Sequence, residues 1–155
     1  MEFIFLIAIL CGSVYLGFSF SKYYKDKLLF YNELNYFCDI LENEITFHKN
    51  TISEIIKKNL DSFKGVLKNS LVNYFIDKKP YKNISIITEK ENAFIQKFFS
   101  SLGKFDSDGE LANIKNYKLE VKKYIGNSEE DNKKIGSAGT KLGIIFGLLL
   151  CIVLI

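Results

Sequence analysis

The chain has 155 residues, of which 48% are apolar and 25% are charged, and its net charge is +3. This length suits one domain, and the balance excludes both a disordered tail and a chain embedded entirely in a membrane. Every cationic residue except His48 is a lysine, and the lysines are interspersed with acids. Because phosphate recognition usually relies on the guanidinium fork of arginine and on a basic patch, we expect no nucleic-acid binding.

Both ends of the chain are apolar. Residues 3–20 carry no charge over 18 positions, which suits a transmembrane helix of about 17–25 mostly apolar residues. Residues 142–155 are also uncharged, but at about 1.5 Å per residue they fall short of a hydrocarbon core about 30 Å thick. Lys141 can extend its side chain to the interface, so that the preceding small residues are buried as well. The sequence therefore predicts transmembrane helices at residues 1–20 and 139–155, and a helical domain at residues 21–138.

The lysines predict how these helices are oriented. Lysines 22, 25 and 27 follow the first apolar segment, and lysines 133, 134 and 141 precede the second. By the positive-inside rule, residues 21–141 face the cytoplasm. Met1 and Glu2 lack the positive charge that begins a secretory signal, so we expect an uncleaved anchor. Cysteines 11, 38 and 151 lie in membrane or cytoplasmic segments, and no disulfide is expected.

Helical periodicity dominates the residues between these ends. Apolar residues recur every three or four positions from Phe30 to Ile45, followed by His48, and we expect the first helix to continue to about residue 48. Capping-box spacing predicts helices that begin near residues 51, 88 and 107, and Asp61-Ser62 offers another start. Residues 77–83 contain the only proline and are interpreted as a loop. The predicted fold is all-α: a cytoplasmic helical bundle carried by two long helices that continue into the N- and C-terminal transmembrane helices.

Small residues recur four positions apart in both apolar ends. They are Ser13, Gly17 and Ser21 at the first end, and Gly139, Gly143 and Gly147 at the second. This spacing places each set on one helix face, and small residues allow membrane helices to approach closely. We therefore predict a packing face. It would serve equally to join the two helices of one chain or to join neighbouring chains in a homo-oligomer.

Residues 106–110, with the sequence DSDGE, have the composition of half of a calcium loop. Aligning Gly109 with the glycine of an EF-hand loop places Lys104 and Lys115 at the first and twelfth positions, where acids are required. We therefore expect no calcium site. Gly103 instead ends one helix, and Ser107 and Glu110 are predicted to cap the next, whose positive end is favourable for Asp106.

We expect no catalytic residue, cofactor or metal. His48 is the only histidine, and the nearest cysteine, Cys38, lies ten residues before it, so a zinc site lacks ligands. The sequence contains no nucleophile elbow and no glycine-rich phosphate loop. Glu42 and Glu44 are best explained as solvated acids or as partners of lysines.

Several segments, taken in order, resemble the stage III sporulation protein AB family over nearly the whole chain. After Gly17 come the cationic stretch SKYYKDK, the helix LNYFCDILENEITF with its acid-isoleucine pair, and the helix start TISEII. The second half carries FFSSLGKFDSDGE, in which Leu102, Gly103 and Asp106 match a Leu-Gly-x-x-Asp element, and then KKIGSAGTKLG and IIFGLLLCIVLI. The chain departs from the family in having Ile52 after Thr51, no tryptophan, a short segment around residues 76–88, and Glu110 where the family has glutamine.

The resemblance implies a non-enzymatic membrane component of the sporulation channel between mother cell and forespore. It implies a two-pass protein of the outer forespore membrane, with its soluble domain on the mother-cell side. That domain would be similar to the platform proteins of type II secretion and type IV pilus machines, and would dock a stage III sporulation AA-like ATPase and other membrane proteins of the complex. Residues Glu44, Ile45, Leu102, Gly103 and Asp106 are then the candidate interaction residues. The alternative is a two-span membrane receptor or regulator whose bundle binds a soluble signalling partner.

Overall fold

The fold is that of a computed structural model, which describes residues 2–47 and 50–154. It is all-α, and no strand occurs within those two ranges. The α-helices are α1 (Glu2–Phe47), α2 (Ile52–Asn59), α3 (Gly65–Leu71), α4 (Glu89–Ser101), α5 (Ser107–Asp131) and α6 (Ser137–Leu154). A 3-10 turn occupies Leu60–Ser62, and π-helical turns occupy Val72–Ile76 and Asn132–Gly136.

The local signals for helix starts are confirmed at α2 and α4. Thr51 Oγ1 accepts a hydrogen bond from the backbone N–H of Glu54, and the Glu54 carboxylate accepts the N–H of Thr51 at 2.9 Å. Thr88 and Glu91 form the same reciprocal pair at the start of α4. The prediction of one long first helix is also confirmed, because α1 is continuous from Glu2 to Phe47. His48 lies outside the described residues.

Helix α3 begins later than Asp61-Ser62, so that predicted start is wrong. Residues 60–62 form a 3-10 turn instead, and the chain is extended at Lys64. The carboxylate of Glu33 in α1 accepts a hydrogen bond from the backbone N–H of Lys64 at 3.0 Å. Gly65 follows with φ of +51°, a left-handed conformation that favours glycine. Because Glu33 holds the extended backbone at Lys64 and Gly65 is left-handed, α3 begins only at Gly65.

The chain divides into two compact units. One comprises the chain up to Leu28 together with the chain from Gly126 onward, and the other comprises Leu29–Ile125. The second unit is a helical bundle with a closely packed core. Burying each large apolar side chain contributes about 1.5–3 kcal/mol. Among the residues no more than 2% exposed are Phe30, Tyr31, Leu34, Phe37, Leu41, Ile55, Ile56, Phe63, Leu67, Leu71, Ile95, Phe98, Phe99, Ile114 and Val121.

A loop of the bundle is held by one buried asparagine. Residues 77–83 are without helix or strand, as predicted from Pro80. The side chain of Asn92, which is 5% exposed, accepts hydrogen bonds from Tyr81 Oη at 2.9 Å and from the backbone N–H of Ile84 at 2.7 Å. Its amide nitrogen donates to the carbonyl oxygens of Ile84, Ile87 and Thr88. This asparagine therefore satisfies the buried backbone groups of the segment before α4.

The unit formed by the two ends of the chain has an apolar surface. Among its described side chains, the exposed large apolar ones are Ile7, Tyr15, Leu16, Phe18, Phe20, Tyr23, Ile135, Leu142, Ile144, Ile145, Phe146, Leu148, Leu149 and Ile152. Within residues 2–47 and 50–154, no helix has the length and apolar character needed to cross a membrane.

Candidate functional site

The start of α5 is capped by Asp106, not by Ser107 as the sequence predicts. The carboxylate of Asp106 accepts a hydrogen bond from the backbone N–H of Gly109 at 3.0 Å, and its carbonyl oxygen accepts the N–H of Glu110 at 2.8 Å. These are the interactions of a helix N-cap: the side chain satisfies one of the otherwise unpaired N–H groups of the first turn, and the carbonyl oxygen accepts the first regular bond of the helix. Asp106 is thus placed one residue before the helix, and its side chain is used in capping.

Glu110 is used across the loop instead of within a capping box. Its Oε1 accepts a hydrogen bond from the backbone N–H of Gly103 at 3.0 Å. Helix α4 ends before Leu102, which has an extended backbone, and Gly103 follows with φ of +77°, a left-handed conformation that favours glycine. Leu102, the residue before it, is 8% exposed and belongs to the core. The Leu-Gly-x-x-Asp element therefore contributes a core residue, a turn and a helix cap.

Glu44 is paired with a lysine near the end of α1. Its Oε1 lies 2.6 Å from Nζ of Lys58, and its Oε2 accepts a hydrogen bond from the side-chain amide of Asn50 at 2.8 Å. Its side chain is 11% exposed, whereas that of Lys58 is 56% exposed. The pair links the end of α1 to the end of α2 in the bundle.

A pocket of about 320 Å³ lies at this end of the bundle. It is where α1 ends, α2 begins and the loop joins α4 to α5. Of the sequence-predicted residues, Ile45 and Gly103 line it together, while Glu44, Leu102 and Asp106 are not among the lining residues. The lining residues are Ile45, Asn50, Thr51, Ile52, Gly103, Phe105, Ser107 and Glu110.

Sequence reasoning missed an ion cluster between α1 and α5. Nζ of Lys118 lies 2.5 Å from Asp39 Oδ1 and 2.9 Å from Glu42 Oε2, and its side chain is 19% exposed. The hydrogen bonds to Asp39 and then to Glu42 raise the pKa of the Lys118 ammonium above its ordinary value. The sequence allowed Glu42 to be either solvated or paired with a lysine, and it could not identify a partner that lies 76 residues away.

Two further titratable groups are buried in the bundle. Burial raises the pKa of the Cys38 thiol to about 12, so this cysteine is protonated at neutral pH and is a poor nucleophile. Burial first, and then the neighbouring Glu91 carboxylate, raise the pKa of Tyr31 above its ordinary value. The Tyr31 ring is stacked on Tyr124 with centroids 5.2 Å apart. Both groups are best explained as parts of the core.

The predicted small-residue faces of α1 and α6 lie against each other within one chain. A Cβ atom added at Gly143 would lie 2.7 Å from the carbonyl oxygen of Ser13, and one added at Gly139 would lie 3.1 Å from that of Gly17. A Cβ at Gly147 would collide with the Ser13 side chain. Of the two alternatives for this face, the structure therefore has the one that joins the two helices of a single chain.

The described side chains offer little for metal chemistry. Within residues 2–47 and 50–154, no group of three or more His, Cys, Asp or Glu residues is arranged to hold a metal ion. Two of the three acids in the segment 106–110 are already used, Asp106 as a helix cap and Glu110 in the bond to Gly103. This end of the bundle is suited to binding a ligand or partner, because it has an apolar pocket with the carboxylate residue Glu110 in its lining.

Comparison with known proteins gives one positive result. The family model of stage III sporulation protein AB matches residues 2–74 and 78–155, which is nearly the whole chain. No curated protein and no solved structure gives a significant match.

Proposed function

Because the chain belongs to the stage III sporulation protein AB family, and therefore has a role in sporulation, we propose that it is a non-enzymatic platform component of the channel complex between mother cell and forespore. The observation that carries the proposal is the family match over both halves of the chain. In this role the protein anchors and positions other components, and the helical bundle transmits force or holds a partner in place.

We propose that the two ends of the chain anchor it in the outer forespore membrane. Residues 3–20 and 142–155 contain no charged residue, and lysines follow the first segment and precede the second. The apolar side chains exposed on the unit formed by these ends support the same assignment, because a surface of this kind is costly in water and favourable in lipid. Residues 21–141 then lie in the mother-cell cytoplasm.

We further propose that the bundle of residues 29–125 docks a stage III sporulation AA-like ATPase. The end of the bundle around Gly103 and Asp106 supports this role, because it combines an exposed loop with an apolar pocket. Glu44, Ile45, Leu102, Gly103 and Asp106 are the proposed interaction residues or their supports. A rigid core beneath this surface would allow movements of the ATPase to be passed on to the membrane helices.

Deletion of the gene in its own host tests the platform role. We expect development to stop after engulfment, with loss of late forespore gene expression, and we expect the intact gene supplied in trans to restore it. A deletion strain that makes normal spores would rule the proposal out. The same strain serves to test variants, provided that each variant accumulates to the level of the intact protein.

Co-purification from sporulating cells tests the docking role. The tagged chain, extracted in mild detergent, is expected to retain the AA-like ATPase, and the deletion strain is expected to lose membrane association of that ATPase. If the ATPase assembles at the membrane equally well without this protein, docking is wrong. Retention of a soluble signalling protein in place of the ATPase would favour the receptor alternative.

Cysteine labelling tests the orientation. Pro80 lies in an exposed part of the loop, so Pro80→Cys in a background without the three native cysteines provides one accessible thiol. A membrane-impermeant maleimide added to intact cells should not react with it, and should react after the cells are permeabilised. Labelling of intact cells would overturn the cytoplasmic assignment of residues 21–141.

A further inference from the structure

The pocket at the end of the bundle contains one charged side chain in an otherwise uncharged lining. Ile45, Ile52 and Phe105 provide apolar walls, and Phe105 is 55% exposed at the rim. Of the lining residues that the structure describes, Glu110 alone is ionisable. It is 4% exposed. The pocket is therefore accessible at its rim and acidic where it is most buried.

The two carboxylate oxygens of Glu110 differ in their surroundings. Oε1 accepts the backbone N–H of Gly103 at 3.0 Å. Oε2 is buried and has no hydrogen-bond partner. A buried carboxylate oxygen without a donor is unfavourable, and a ligand that supplies a charged donor removes this penalty. Oε2 is closed to solvent in this structure, so a cation in the pocket would pair with it after the Glu110 side chain turns toward the pocket.

The side chains of Asn50 and Thr51, two of the polar residues in the lining, are already engaged elsewhere. The side-chain amide of Asn50 donates to Glu44, which also receives the ammonium of Lys58. The hydroxyl of Thr51 donates to Glu54 at 2.8 Å. The donors of these two residues are therefore not directed at Oε2 of Glu110, which has no hydrogen-bond partner among the described residues.

We propose that this pocket binds a lysine side chain of a partner protein. The apolar walls suit the four-carbon stem of lysine, and its ammonium group would pair with Oε2 once the Glu110 side chain turns toward the pocket. A guanidinium group binds best to both oxygens of a carboxylate at once, and here Oε1 is already occupied by Gly103. The geometry therefore favours the single-point charge of lysine over arginine.

The inference deepens the proposed docking role and rests on it only for the identity of the protein that supplies the lysine. The chemistry of the pocket is measured without that protein, by adding a small lysine probe to the purified full-length chain in detergent. Failure of this titration leaves the sporulation phenotype and the co-purification result unaffected. Failure of the docking role leaves the titration unaffected.

The experiment is a titration followed by the amide resonance of Gly103, whose N–H is bonded to Glu110. The probes are the N-acetyl, N-methylamide derivatives of lysine, norleucine and arginine. The lysine probe should shift this resonance saturably, and norleucine, which lacks the charge, should bind about ten-fold more weakly. Arginine should bind less tightly than lysine. Absence of a shift at Gly103, or equal binding of norleucine, overturns the site, and stronger binding of arginine overturns the choice of lysine.

Two variants separate the Glu110 carboxylate from general acidity. Glu110→Gln keeps an acceptor for Gly103 and removes the charge, so it should weaken the lysine probe about ten-fold while leaving the other amide resonances in place. Asp108→Asn removes an exposed acid two residues away, and binding should stay within about two-fold because exposed charges contribute little. Equal weakening by both variants would assign binding to diffuse charge and overturn the proposal.

A third variant tests the apolar wall of the pocket. Phe105→Ala, with the carboxylate intact, should also weaken binding of the lysine probe, and unchanged binding would contradict a role for this wall.

Discussion

Gly17 of α1 lies so close to α6 that a Cβ atom added to it would be 2.5 Å from the carbonyl oxygen of Gly139. The same atom would be 3.1 Å from Cα of Gly143. Both neighbours are backbone atoms, which cannot move aside as a flexible side chain can. The contact therefore depends on the absence of a side chain at residue 17.

We predict that Gly17→Ala destabilises the unit formed by the two ends of the chain by about 1–3 kcal/mol, because an added methyl group forces the helices apart. The measurement is the unfolding midpoint of the purified chain in mixed micelles, followed by circular dichroism. Gly12→Ala is the matched control, since nothing lies within 4 Å of a Cβ at Gly12. Equal midpoints for the two variants would show that the close contact is absent in detergent.

Lys118→Met is expected to lower the free energy of unfolding of the bundle by roughly 1–3 kcal/mol, because it leaves Asp39 and Glu42 without their shared cation. Lys123→Met, on the same helix, is the control. Lys123 pairs with Glu120 at 2.5 Å, but its side chain is 69% exposed, so its loss should cost less than about 0.5 kcal/mol. Urea unfolding of both variants measures the difference. A Lys118 variant as stable as the Lys123 variant would contradict the role of the cluster.

Comparison of the native chain with Lys118→Met also tests a predicted pH dependence of stability. The folded-state pKa of Lys118 is raised above its ordinary value of 10.5, so the folded state holds this proton more tightly than the unfolded state. The contribution of Lys118 is therefore fully present below that ordinary pKa and is lost as the pH rises through the raised one. The stability difference between the native chain and Lys118→Met should be constant near neutrality and shrink in alkaline solution. A difference that grows with pH would have the wrong sign.

Asn92→Ala should destabilise the bundle by about 2–4 kcal/mol, because it removes several hydrogen bonds and leaves buried backbone groups without partners. Asn83→Ala, at an exposed position of the same loop, should change stability by less than about 0.5 kcal/mol. Hydrogen exchange of the Ile84 amide, which donates to Asn92 at 2.7 Å, reports the local effect. Asn92→Asp would place a carboxylate oxygen against the carbonyl oxygens that the amide now donates to, so it should destabilise the bundle at least as much as Asn92→Ala does.

Asp106→Ala should cost about 1 kcal/mol, the usual effect of losing an N-cap. Ser107→Ala should be nearly neutral, since Asp106 supplies the cap at the start of α5. Thermal unfolding of the two variants distinguishes these roles, and a larger effect at Ser107 would restore the capping box read from the sequence. Calcium should shift the Tm of neither variant, because the loop register lacks acids at the required positions.

The features that the sequence predicts correctly are local ones. Thr51 with Glu54, and Thr88 with Glu91, form capping boxes because all of their partners lie within three residues. The segment 106–110 offers three residues that can each cap a helix, and local preference cannot choose among them. The choice depends on Glu110, which is drawn across the loop to Gly103.

The features that escaped prediction depend on distant partners. Asn92 has no special signal in the sequence, because its partners lie in a loop that precedes its own helix. Glu33 delays α3 through a bond to Lys64, 31 residues away. The pocket at the end of the bundle is similar, since it combines residues from α1, α2, the loop after α4 and α5. Such contacts are set by tertiary packing, which periodicity does not describe.

The π-helical turn at Asn132–Gly136 makes the length of the chain before α6 as important as its composition. A π turn accommodates an extra residue within a helix, and here it precedes the glycines that face α1. Gly136 itself lies against Tyr24, where an added Cβ would be 3.0 Å from the Tyr24 Cβ. Deleting one residue from the turn would therefore leave a regular α-helix in which Gly139 and Gly143 still face Gly17. Deleting Ala138, which lies after the turn, would instead rotate everything after it by about 100°, the angle per residue of an α-helix. Gly139 and Gly143 would then face away from Gly17, without any change to the residues of the contact.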